Sequence, residues 1–225
     1  MTSRIRQIVR RLEKAYGPQP WRRWVKPLDG LIATVLSQHT SDANSDAAYE
    51  SLRRAFPTWH ACMISPPDGV ERAIRSGGLA RQKTRSIQAI LRHLQADRGR
   101  LSLDFLASWP MERARAYLLA LPGVGPKTAA CVLMFNLGMP ALPVDTHVHR
   151  LARRLGLIPD NCSAGKAHER LEAACPKKLV YPFHVLLIQH GRQVCRARNP
   201  LCGKCPLADS CPSAVTLHSS TRTER

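Results

Sequence analysis

Apolar residues recur along this chain at intervals of three and four. Ile5, Val9, Leu12 and Tyr16 form one such stripe, Ile87, Ile90, Leu91 and Leu94 a second, and Val180, Phe183, Leu186 and Leu187 a third. That spacing gathers side chains on one face of an α-helix. No alternating apolar and polar run and no Asn-Gly hairpin appears, so no strand is predicted. Proline and glycine interrupt the stripes at Gly17 to Pro20, Pro57, Pro66-Pro67, Gly77-Gly78, Pro110, Pro122 to Pro126, Gly138 to Pro143, Pro159 and Pro176, which delimits nine or ten helices of ordinary length. Asp42, Ser86, Asp145 and Ser163 fall near the predicted helix starts, where a side-chain oxygen caps free backbone amides. The predicted fold class is all-α. After Cys211 the chain turns polar and rich in Ser and Thr, and residues 213–225 are read as a mobile tail.

Charge changes the picture. The 225 residues carry 34 Lys and Arg against 16 Asp and Glu, a formal net charge of +18, while 44% of them are apolar. A chain with that apolar content buries a core, so the charge is not a sign of disorder. It points to a polyanion, most simply nucleic acid, because Lys and Arg release the counterions condensed on a phosphate backbone. Aromatic residues make up only 5%, which argues against a stacking platform for single strands. No run of about 18 apolar residues is present. The first ten residues interleave Arg with their apolar positions, so neither a membrane span nor a secretory signal is predicted. The expectation is a cytoplasmic protein with no membrane partner.

Two local patterns carry chemistry. In Leu121-Pro-Gly-Val-Gly-Pro-Lys-Thr128, two glycines flank one apolar residue and Pro126 suits the first position of a new helix. Amides exposed there can grip a phosphate through Gly123, Val124 and Gly125; equally, Val124 can plug a core while the glycines only turn the chain. Lys127 follows in the first helical turn. Its amine suits attack on a sugar carbon provided it is neutral, or else it is one more phosphate-binding lysine. Asp145 lies between Val144 and Thr146-His-Val-His149, a helix-capping position that by itself justifies an aspartate.

The second pattern is Cys195, Cys202, Cys205 and Cys211, four of the eight cysteines in one short segment. With no disulfide framework expected inside a cell, these are soft-metal ligands, and the spacing alone fits zinc as well as an iron-sulfur cluster. Cys62, Cys131, Cys162 and Cys175 are dispersed and read as core residues.

Leu121 to Ala129, the run Val144-Asp-Thr-His-Val-His-Arg150, and His190-Gly-Arg192 leading into the cysteines together resemble the helix-hairpin-helix DNA glycosylases, most closely the bacterial endonuclease III family. The resemblance covers about residues 27 to 212. It implies two helical lobes with a DNA groove between them: a six-helix-barrel-like lobe with the hairpin at 20–138, and a cluster-bearing lobe of 1–19 plus 139–212. It implies Lys127 as nucleophile, Asp145 as the catalytic carboxylate, and a [4Fe-4S] cluster on Cys195, Cys202, Cys205 and Cys211. Arg196, Arg198 and Lys204 would project from the cluster loop to the DNA backbone, with Lys83 and Arg85 contacting it elsewhere and His147 a secondary candidate beside His149. Leu79 would wedge into the base stack, or alternatively anchor the helix that follows it. Gln38 or His39 would face the orphaned partner base, although the family commonly has Gln where His39 stands. The implied activity is that of a bifunctional glycosylase and abasic-site lyase acting on oxidised pyrimidines in duplex DNA, as a monomer at the bacterial nucleoid. Monofunctional excision of mismatched or alkylated bases and a non-catalytic, metal-stapled DNA-binding module are the alternatives.

Overall fold

A computed structural model describes residues 1–214; the tail assigned to 213–225 therefore lies, from residue 215 on, outside the described residues. Eleven α-helices are present among the described residues, with no strand. They are α1 (Thr2–Tyr16), α2 (Pro27–Ser37), α3 (Asp42–Ala55), α4 (Trp59–Ile64), α5 (Pro67–Ala73), α6 (Ala80–Arg98), α7 (Met111–Ala120), α8 (Pro126–Cys131), α9 (Thr146–Arg154), α10 (Ala164–Ala174) and α11 (Val180–Gln193). The number exceeds nine or ten because Pro66-Pro67 splits one apolar region into two short helices of six and seven residues; the second proline occupies the first turn, where its missing N–H costs nothing. No described helix is long and apolar enough to cross a membrane.

The chain forms two compact units: Arg23–Met139, here the central unit, and Met1–Arg22 with Pro140 onward, the terminal unit. In the central unit α2 packs on α3 and α6 and on a π-helical segment, Val132–Asn136, that continues α8. Leu31, Ile32, Leu36, Leu52, Ile87, Ile90, Leu91 and Leu94 are fully enclosed there. Burial of each such side chain contributes roughly 1.5–3 kcal/mol. A Cβ on Gly30 would overlap the side chain of buried Asn136, whose amide donates to the Val25 carbonyl at 3.2 Å. In the terminal unit α1 and α9 both pack against α11. Ile5, Ile8, Val9 and Leu12 form the buried face of α1, as the period of their spacing requires.

Capping follows the residue types at four of the helix starts, the Thr58 hydroxyl accepting from the Ala61 amide at 3.1 Å ahead of α4. The Ser41 hydroxyl accepts from the Asn44 amide at 3.3 Å, Ser163 from Lys166 at 3.4 Å and Asp145 from Val148 at 2.7 Å. Two expectations are corrected. Asp42 is the first residue of α3 and Ser41 is its cap. Ser86 lies inside α6, which begins at Ala80 under Leu79; there Ser86 faces Gly123 so closely that a Cβ on Gly123 would meet its Oγ at 2.8 Å.

Candidate functional site

The hairpin between α7 and α8 is built on two glycines. Gly123 has φ +76, a conformation that other residues adopt only with strain. The Val124 amide donates back to Leu121 at 3.2 Å and Val124 is buried, so this residue plugs the core. The amides of Gly123 and Gly125 donate to no backbone carbonyl among the described residues, and both glycines are exposed. The two readings of the turn are therefore compatible: the apolar residue anchors it while the flanking amides stay open to an anion. Lys127 is exposed in the first turn of α8, and Thr128 behind it is buried.

Thr128 connects the hairpin to a second element, since the Gln38 amide nitrogen donates to its hydroxyl at 3.3 Å. His39, the next residue, is exposed and left-handed, with φ 52. Leu79 is left-handed as well, at φ 48 and ψ 35, and is 52% exposed. Leu79 thus holds an apolar side chain outward at a left-handed corner, at the N-cap of α6. Lys83 corrects the expectation of a backbone-gripping cation. It is only 3% exposed, and its ammonium donates to the carbonyls of Leu36 at 2.6 Å and Gly77 at 2.7 Å. Burial pulls its pKa below the ordinary lysine value. Arg85, two residues on, is exposed.

In the terminal unit Asp145 caps α9 through Oδ1, and its side chain is half-buried. The neighbouring His147 shares a hydrogen bond with Arg150 at 3.1 Å through Nδ1. Burial is the main cause of its lowered pKa, with Arg150 and Arg192 adding to the effect and Asp145 opposing it. His149 bonds the Cys162 carbonyl at 2.8 Å and is structural.

The four cysteines of residues 195–211 line one common cavity together with Arg154, Val194, Pro200 and Leu201. Two of the sulfurs are met by nitrogen: Arg154 donates to Cys195 at 3.3 Å, the Leu207 amide donates to Cys205 at 3.4 Å, and His190 Nε2 lies beside Cys205 at 3.3 Å. His190 is 1% exposed, and its other nitrogen lies 2.7 Å from the Tyr16 hydroxyl. With a metal on Cys205 the thiolate could only accept, so Nε2 would carry the proton and Nδ1 would accept from Tyr16. Four soft donors around one cavity, with outer hydrogen bonds to the sulfurs, fit a thiolate-held cluster. Arg154 also donates to the carbonyls of Arg196 at 2.7 Å and Ala197 at 3.0 Å. The loop backbone is thereby fixed while Arg196, Arg198 and Lys204 are exposed. Neither Arg154 nor Tyr16 was legible as a site residue: the first is one arginine among many, and the second reads as the last member of an apolar stripe.

Residues 32–177 match the HhH-GPD superfamily of base excision DNA repair proteins, and residues 195–211 match the iron-sulfur binding domain of endonuclease III. The chain belongs to the HhH-GPD superfamily. Among HhH-GPD relatives, endonuclease III of Thermotoga maritima is 34% identical over 92% of this chain and 89% of its own length. A putative DNA glycosylase of Arabidopsis thaliana is 39% identical over 82% of this chain, which spans only 64% of that longer relative. A solved structure of a trapped endonuclease III–DNA covalent intermediate is 32% identical with a TM-score of 0.80, covering 96% of this chain and 98% of that one. The chain is thus an endonuclease III-like DNA glycosylase with an all-α HhH-GPD fold. Its cofactor is a [4Fe-4S] cluster; the residues that would hold it are Cys195, Cys202, Cys205 and Cys211.

Proposed function

We propose that this base excision repair enzyme, a DNA glycosylase with lyase activity, removes oxidised pyrimidines of the thymine glycol type from duplex DNA and cleaves the strand through a Schiff base on Lys127. The observation that carries the reading is the placement of Lys127: an exposed amine in the first turn of α8, directly after a glycine hairpin with two open amides. A phosphate bound by Gly123 and Gly125 would bring a sugar C1′ within reach of that amine. The Nζ lone pair attacks C1′, the glycosidic bond breaks and the base leaves with its electron pair. Opening of the sugar ring gives the Schiff base. Loss of a C2′ proton then expels the 3′ phosphate by β-elimination, and water hydrolyses the imine to return the lysine.

Asp145 is assigned the proton released by the amine, and its charge stabilises the oxocarbenium-like sugar in the transition state. Oδ1 is committed to the Val148 amide, which orients the carboxylate. Arg196, Arg198 and Lys204 neutralise backbone phosphates, His39 faces the orphaned base and Leu79 enters the stack. The cluster supplies the rigidity of the loop that presents these cations. Duplex DNA is the partner, and the enzyme works as a monomer on the DNA of the nucleoid.

Base release and strand scission are to be measured on duplexes carrying thymine glycol, mismatched thymine or an alkylated base. Excision of thymine glycol coupled to scission is expected. Release of mismatched or alkylated bases without scission would replace the reading with a monofunctional one, and no release from any duplex would leave a DNA-binding module. Asp145→Asn separates capping from catalysis, because Asn caps a helix as well as Asp. The variant should unfold within about 0.5 kcal/mol of wild type while excision falls roughly 10²–10⁴-fold.

A further inference from the structure

Two residues of the central unit other than glycine adopt left-handed backbone, His39 and Leu79, and both are exposed. Such strain persists only where the surroundings over-determine it, and Lys83 supplies the determinant. Its ammonium reaches Leu36 O at 2.6 Å, three residues before His39, and Gly77 O at 2.7 Å, two residues before Leu79. The first carbonyl belongs to the last turn of α2, and the second ends the 3₁₀ turn Arg75–Gly77. Carbonyls at helix ends lack an intrahelical partner and carry the negative end of the dipole. One buried cation thus closes two helix ends at once. Among the described residues its burial is offset by no carboxylate, an expensive arrangement when a methionine would fill the same volume. Gly77 is equally confined, since a Cβ there would meet the Ala48 side chain at 3.1 Å.

We infer that Lys83 is a positioning residue, an internal ammonium clamp that joins the His39 and Leu79 corners so that both side chains enter duplex DNA as one rigid pair when a nucleotide is extruded. The inference rests on the proposed reading of a base-extruding glycosylase. Wedge and gap-filler must act together, because unstacking without filling the vacated space leaves the extruded state open to collapse. A shared clamp satisfies that requirement without touching DNA.

The test uses the cluster-loaded enzyme with Lys83→Met, which keeps the apolar stem and removes the charge, and Lys83→Arg, which retains two donors. Hydrogen exchange should accelerate in Lys83→Met at residues 37–41 and 77–80 together, with the remaining helices protected as in wild type. In single-turnover excision from fully paired thymine glycol duplex, Lys83→Met should lose about 100-fold, the scale of a misplacement near 1 Å. The signal of a 2-aminopurine placed beside the lesion, which reports unstacking, should be lost with it. Scission at a preformed abasic site opposite a gap, where nothing need be extruded, should change by less than about threefold, and Lys83→Arg should regain part of the loss.

Accelerated exchange at one corner only, or at neither, overturns the clamp. An equal loss on paired and gapped DNA also overturns it, because that is the signature of general damage. If Lys83→Met does not fold, Lys83→Arg decides by the same comparison, its loss on paired DNA having to exceed that on gapped DNA. Failure of the wild type to excise any base would overturn the functional reading instead, while the exchange result still decides whether the clamp exists.

Discussion

Lys127→Ala is expected to give no covalent adduct when borohydride is added to the enzyme on duplex DNA containing thymine glycol or an abasic site, whereas the wild type is trapped in high yield. Strand scission should fall by about 10³-fold or more, because losing a nucleophile removes the covalent route and not merely a contribution to binding. The fold should survive the change: Lys127 is exposed, and its backbone role in the first turn of α8 is open to alanine. Trapping that persists in the variant would assign the Schiff base to another amine. Base release that persists without scission would mean that water, activated by Asp145, replaces the amine.

Cys205→Ser should have the largest effect on stability. Cys205 is contacted by the Leu207 amide and by His190, which is itself tied to Tyr16 at the end of α1. Losing this ligand should release the cluster, bleaching the broad visible absorption and lowering the iron content toward zero. Structural metal sites contribute free energy on the order of 10 kcal/mol to the domains they close, comparable with the whole stability of a small domain. The segment 195–211 should then lose its protection from proteolysis. DNA affinity should drop as Arg196, Arg198 and Lys204 lose their fixed positions, and the slope of log K against log salt should shallow by about 0.9 for each phosphate that is no longer neutralised. A variant with full iron content and an unchanged salt slope would refute both the ligand assignment and the role of the loop.

Much of this molecule is written in local spacing. Stripes of period 3.6 mark the helices, and prolines mark their ends. Gly-Val-Gly-Pro marks the hairpin, Asp145 and Ser163 advertise caps, and four clustered cysteines advertise a metal centre. Each of these signals acts over a few residues, so each is legible without knowing what lies nearby in space.

What was missed depends on groups far apart in the chain. Lys83 has the composition of a DNA-contacting lysine, yet its partner carbonyl on Leu36 is 47 residues away, and only packing reveals that the charge is turned inward. Ser86 looks like a cap until α6 is seen to begin at Ala80, which leaves it inside the helix facing Gly123. Gln38 and His39 are adjacent and both polar; the hydrogen bond of Gln38 to Thr128 and the left-handed exposure of His39 distinguish them.

By itself, then, the sequence determined the helical class, the hairpin with its lysine and the four thiolates, because periodicity, turn chemistry and ligand spacing are properties of neighbours along the chain. Only the tertiary structure decided which cation faces inward, which corner residues face out and which donors meet the cysteine sulfurs. Burial and hydrogen bonding between distant segments are consequences of packing, and a residue's type does not reveal its partner.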